Sequence, residues 1–161
     1  MPASIRPLAR EDVDQVVDLS VRAWTPVFTS LREVLGAEMF ERMHPGGWRT
    51  IQADAVRETC SDPGMTVWVA ADGDAVVGFV AVVLHTDDRE GEIHMIAVDP
   101  ELQRRGIAAR LTDHAVEWIA QQGMELAVVA TGGDPGHAPA RASYERSGFT
   151  ALPLVRYYKL L

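Results

Sequence analysis

Apolar residues change their spacing along this chain, and the change divides it into a helical first third and a remainder in which strands dominate. Ser4 to Leu8 is a short extended segment. Arg10-Glu11-Asp12 then opens a stretch in which Val13, Val16, Val17, Leu19 and Trp24 largely share one helical face. Pro26 is expected to end that helix, because its ring removes a donor and crowds the preceding turn. A second helical region spans residues 28 to 60, with Leu31, Val34, Leu35, Met39, Phe40 and Met43 apolar. Pro45-Gly46-Gly47 interrupts it, and Asp62-Pro63-Gly64 closes it.

From Met65 the period falls to two. Met65 to Ala71 and Ala75 to Leu84 flank Asp72-Gly73-Asp74, a hairpin signal. Beyond the loop at 87 to 91, Glu92 to Val98 read as a further strand, stopped by Asp99-Pro100. Helical spacing returns from about Arg105 to Gln121, with Leu111, Ala115, Trp118 and Ile119 inward and Gly123 as a stop. Met124 to Ala130 is a nearly continuous apolar run, suited to a strand covered on both faces. A loop over 131 to 136, a short helix from Pro139 to Ser147 closed by Gly148, and a final strand from Val155 to Leu161 complete the chain. This order predicts an α+β (α/β layered) domain with a mixed central sheet, in which 92 to 130 supplies a right-handed parallel crossover.

Length and composition narrow the classes. At 161 residues and 47% hydrophobic content, residues 1–161 are expected to form one domain around one core. Cys60 is the single cysteine, so no internal disulfide forms, no metal cluster is expected, and a reducing, cytoplasmic location is implied. No apolar run spans a bilayer, and Met1 to Arg6 lack the apolar centre of a signal peptide, so neither membrane nor secretion is expected. Acidic residues outnumber basic ones 23 to 15, for a net charge of −8. That balance disfavours nucleic acid and favours a cationic partner, while Arg104, Arg105 and Arg110 keep a local basic spot.

The spot coincides with the strand-to-helix turn at Asp99 to Ala108. Gln103 to Ala108 present successive backbone N–H groups at the positive end of a helix dipole, and Gly106 lets a ligand approach the main chain. A phosphate or pyrophosphate fits such a turn; an ordinary connection with Gly106 as a packing device is the alternative.

Two stretches carry a family resemblance. Gln103-Arg104-Arg105-Gly106-Ile107-Ala108, preceded by Ile96-Ala97-Val98-Asp99-Pro100, resembles the Gln/Arg-x-x-Gly-x-Gly/Ala loop of the GCN5-related N-acetyltransferase (GNAT) superfamily. Ala140 to Phe149, with Tyr144, Gly148 and Phe149, is similar to that superfamily's Ala-x-x-x-Tyr-x-x-x-Gly-Phe helix. The resemblance implies a mostly antiparallel sheet flanked by helices, and acetyl-CoA as co-substrate. It implies that the loop from Gln103 through Arg104, Arg105, Gly106 and Ile107 to Ala108 binds pyrophosphate, that Ile96 and Val98 pair with pantetheine, and that an N–H near Ile96 or Ala97 stabilises the reacting carbonyl oxygen. His137 stands where relatives often carry a cofactor-contacting Asn.

An amine acceptor near neutral pH is mostly ammonium, with a pKa of about 10.4 for a lysine-like amine, so a base is needed. By resemblance that base is Glu92, with His94 on the same face of a regular strand as a substitute; Tyr144 is the general acid. The implied reaction is N-acetylation of a primary amine of unidentified type, against the alternative of a noncatalytic acyl-CoA-binding or regulatory module. Trp24, Phe28 and Trp48 either line an acceptor pocket or belong to the core, Trp24 being read as core. Asp87, Asp88 and Glu90 either attract a cation or form a solvated loop. Relatives that dimerise through the C-terminal segment imply a homodimer.

Overall fold

The computed structural model describes residues 2–161. Five strands form one sheet in chain order: β1 (Ser4–Pro7), β2 (Met65–Asp72), β3 (Ala75–His85), β4 (Glu90–Val98) and β5 (Leu126–Val129). The first four are antiparallel neighbours, and β5 runs parallel to β4. The β2–β3 hairpin forms where expected, with Gly73 supplying the left-handed φ of 59° that a two-residue turn demands. Helices α1 (Val13–Leu35), α2 (Ala37–Met43) and α3 (Trp48–Ser61) precede β2; α4 (Ile107–Gln121) joins β4 to β5, and α5 (Ala138–Arg146) follows.

Period-two alternation divides the core into two layers. Val80 and Val82 of β3 face α4, where Leu111, Ala115 and Ile119 are buried; Phe79 and Ala81 face Val16, Leu19 and Val56 of α1 and α3. The inward face read for α4 is thus the one observed. Gly91 marks the tightest approach: a methyl there would lie 2.5 Å from Ile119 Cγ2 and 2.6 Å from Cγ1. Those atoms sit close to the α4 backbone, so relief requires moving the helix. Gly91→Ala is therefore expected to cost about 1–3 kcal/mol, read as a lowered Tm in thermal unfolding.

Three elements differ from the sequence expectation. Pro26 lies inside α1, which runs on to Gly36 at φ 81°. Tertiary contacts beyond the proline outweigh the missing hydrogen bond: Phe28 stacks on Trp48 with ring centroids 4.3 Å apart, and Ser30 Oγ donates to Asp134 at 2.6 Å. The strand β5 is a four-residue sheet edge, not a strand covered on both faces, since Leu126 remains 58% exposed. Residues 150–161 form no strand. A strand needs a neighbouring ladder, and this segment pairs with none, so Leu152, Leu154, Val155 and Tyr157 stay exposed.

One irregularity bears on the site. The β3–β4 register passes from Ala81 opposite Met95 to Val82 opposite Ile93, leaving His94 as an extra residue. Ile93 and Ile96 both join the α4-side layer, three positions apart. The bulge therefore places His94 and Met95 together between them, and the even spacing from Glu92 to His94 does not guarantee a common face.

Candidate functional site

Pairing between β4 and β5 stops at Ile93 opposite Val129. Beyond it β4 stays on β3 as far as Val98, while the chain after β5 turns away. The edge of β4 from His94 to Val98 thereby faces a cleft of about 720 Å³. Val129, Ala130 and Thr131 form the opposite wall with His137 and Tyr144, and Trp24, Pro26 and Val27 of α1 cover one side. Trp24 is both core and lining, because its ring also meets Phe79 edge-on at 6.3 Å. Phe28 and Trp48 instead pack on each other between the helices, joined by Phe40 and His44.

The start of α4 closes one end of the cleft. Its first intrahelical bond runs from Arg110 N–H to the Gly106 carbonyl at 3.1 Å, which leaves the N–H groups of Ile107, Ala108 and Ala109 without helical partners. No side chain caps them and no acidic residue occupies the first turn. Arg104 at φ 65° and Gly106 at φ 77° are both left-handed, a turn geometry that gathers amides into an anion-binding concavity. A Cβ added at Gly106 would meet nothing within 4 Å, so space remains above the main chain. Gln103 Nε2 donates to the Val98 carbonyl at 3.3 Å and fixes the loop to β4. Arg104 lines the cleft with Gln103 and Gly106 to Ala109; Arg105 is exposed and does not line it.

Tyr144 reaches the same cleft from α5. Its ring meets Phe149 edge-on at 5.9 Å, and its hydroxyl makes no hydrogen bond among the described residues. Burial pushes the phenol up to about 12, so it is protonated throughout the neutral range.

His137 is held by Asp134, whose carboxylate also accepts from Ser30 Oγ at 2.6 Å and Gly136 N–H at 3.1 Å. Burial pushes the Asp134 carboxyl up, but hydrogen bonds from Ser30 and His137 outweigh it and hold the group below the usual carboxylate range. Arg141 NH1 donates to the Asp134 carbonyl at 2.8 Å. This cluster joins the loop before α5 to α1. The Asp134-Pro135-Gly136 turn carried a signal for it, since Asp before Pro favours a side-chain-capped turn; Ser30 carried none.

The two candidate bases differ in placement. His94 lines the cleft. Glu92, two positions earlier, is outside the lining, and its carboxylate lies 2.8 Å from His85 Nε2. The hydrogen bond to Glu92, with further acidic neighbours, raises the His85 pKa. Two more features had no sequence signal. Thr112 lines the cleft with a buried hydroxyl that lacks a partner, and Arg22 of α1 forks onto Asp99 at 2.8 and 3.1 Å beside the turn.

Comparison with known proteins bears on this arrangement. Residues 33–149 match the family described as Acetyltransferase (GNAT) family. A mycothiol acetyltransferase of Beutenbergia cavernae is 33% identical over 126 residues, covering 77% of this chain and 42% of that relative, so the chain spans less than half of its length. A solved GNAT-family putative acetyltransferase of Desulfovibrio desulfuricans superposes with a TM-score of 0.73 at 21% identity, covering 94% and 87% of the two chains. An aminoglycoside N-acetyltransferase solved in complex with CoA gives 0.66 at 16% identity, covering 98% and 93%. Among the described residues no helix is long and apolar enough to cross a membrane.

Proposed function

The chain belongs to the GNAT acetyltransferase family, and from that premise we propose that it transfers an acetyl group from acetyl-CoA to a primary amine. The carrying observation is that the open amides at the start of α4 and the protonated Tyr144 hydroxyl border one cleft. Acetyl-CoA supplies the thioester and the pyrophosphate. The N–H groups of Ile107 to Ala109, with Gly106 beneath and Gln103, Arg104 and Arg105 around the turn, receive the pyrophosphate. The unpaired edge of β4 at Ile96, Ala97 and Val98 holds the pantetheine arm and offers an N–H to the reacting carbonyl oxygen. His137, oriented by Asp134, contacts the cofactor from the opposite wall.

The chemistry is a direct displacement. The amine nitrogen bonds to the acetyl carbon, the carbon–sulfur bond breaks, the amine's proton passes to a base on β4, and Tyr144 donates toward the departing sulfur. We assign the base to His94, which lines the cleft, with Glu92 as the alternative. His94 as base predicts that His94→Gln lowers kcat/KM by about 100-fold while Glu92→Gln changes it by no more than severalfold. The reverse pattern reassigns the role to Glu92. The overall reading is tested by thiol release from acetyl-CoA across a panel of amines, beside calorimetric acetyl-CoA binding. Binding with no thiol release for any amine replaces it with a noncatalytic acyl-CoA-binding module.

The exposed apolar run at 150–161 and the open edge at β5 support a homodimer in which this segment packs on a second copy. Sedimentation should then give a dimer for the whole chain and a monomer for a chain ended at Thr150. A monomer for both removes the proposal. The unpaired Cys60 supports a cytoplasmic location.

A further inference from the structure

A second cavity, of about 260 Å³, opens beneath the end of α3. Glu58, Thr59 and Asp62 line it from that helix and its C-terminal cap, and Met65 from the start of β2. Ala55 of α3 lines it too, and its remaining wall is His94 and Met95, which also line the larger cleft, so the two spaces share the β4 bulge as a common wall.

The cavity's charge is negative and uncompensated. Neither Glu58 nor Asp62 forms an ion pair among the described residues, and the adjacent Arg57 is engaged by Asp14 at 2.8 Å. One Asp62 oxygen accepts from Gly64 N–H at 2.7 Å, which fixes the carboxylate and leaves the other oxygen free. Thr59 is an independent sign of a ligand. It is only 5% exposed and faces the cavity, yet its hydroxyl bonds nothing among the described residues, whereas Ser61 on the same helix bonds back to the Arg57 carbonyl at 2.8 Å. With no donor from the protein on it, that oxygen is left to accept from whatever occupies the cavity.

We propose that this cavity holds the second cationic group of a dibasic acceptor, an α,ω-diamine or a longer polyamine-like chain, whose reacting amine reaches the cleft past His94. The inference rests on the acetyl-transfer reading and names the acceptor class for it. An ammonium donates to the carboxylates and to the Thr59 oxygen together, and the net charge of −8 favours the approach of a dication.

The test measures binding, so it stands apart from turnover. CoA-saturated protein is titrated calorimetrically with 1,5-diaminopentane and with 1-aminopentane. The diamine should bind about tenfold more tightly, and the advantage should vanish in the Glu58→Gln/Asp62→Asn double variant. Asn at 62 still accepts from Gly64, so the turn is kept; thermal unfolding of the variant checks that the fold is too. Thr59→Val should reduce the advantage severalfold. Equal affinity for the two amines, or an advantage unchanged in the folded double variant, overturns the proposal. An intact advantage with no thiol release overturns acetyl transfer and leaves the cation site standing.

Discussion

Replacing Tyr144 with Phe lowers turnover by about 100-fold or more and leaves acetyl-CoA affinity essentially unchanged. The ring keeps its edge-on contact with Phe149, and the hydroxyl has no hydrogen bond to lose among the described residues, so the fold has little reason to respond. What is removed is a donor that burial keeps protonated, with its pKa pushed up to about 12. Steady-state thiol release and calorimetric binding on the same preparation separate the two quantities. Unaffected turnover would make Tyr144 a packing residue alone. The same shift gives a signature at alkaline pH. The folded state holds the phenolic proton more tightly than the unfolded chain, whose tyrosine titrates near 10. Its stabilising contribution is therefore complete below about pH 10 and is lost as pH rises toward 12. Tyr144→Phe should remove that part of the alkaline decline, which unfolding curves taken across this window would show.

Ala109→Glu moves binding and stability in opposite directions. Residue 109 is the third of α4, exposed and lining the cleft beside the open amides. A carboxylate in the first turn of a helix is favourable for the helix itself, since it meets the positive end of the dipole, so Tm should hold or rise slightly. The same carboxylate competes for the amides and repels a pyrophosphate, and acetyl-CoA affinity should fall by about 10- to 100-fold. Calorimetric titration and a thermal melt decide it. A fall in Tm alongside the loss of binding would mean that the substitution damages the helix, and native affinity would mean that the anion sits elsewhere.

The antiparallel part of the sheet and the turns that border the candidate site were legible because their signals are local. The Asp72-Gly73-Asp74 turn, the inward face of α4 and the glycine-bearing turn at Gly106 are each dictated by residues within a few positions of one another. Pro26 misled because the contacts that carry α1 past it, Phe28 on Trp48 and Ser30 on Asp134, join residues distant in sequence. The bulge at His94 was invisible for a related reason. The sequence from Glu92 to Val98 shows an unbroken strand, and only pairing with β3 makes one residue supernumerary. That irregularity distinguishes the two candidate bases, placing the imidazole on the cleft wall while the carboxylate meets His85. The final strand was read from apolar content alone, and apolar content does not supply the second ladder a strand requires.

Ser30 lies 104 residues before Asp134, and the segment matching the family begins at residue 33. The carboxylate that orients His137 is thus anchored from outside the stretch that makes the chain recognisable. The half from β4 to α5, to which cofactor binding is assigned under the proposed function, is accordingly not a detachable module. Grafting it onto another amino-terminal region, or trading α1 to alter acceptor choice, would leave one wall of the cleft without its brace unless a hydroxyl were restored at the position of Ser30.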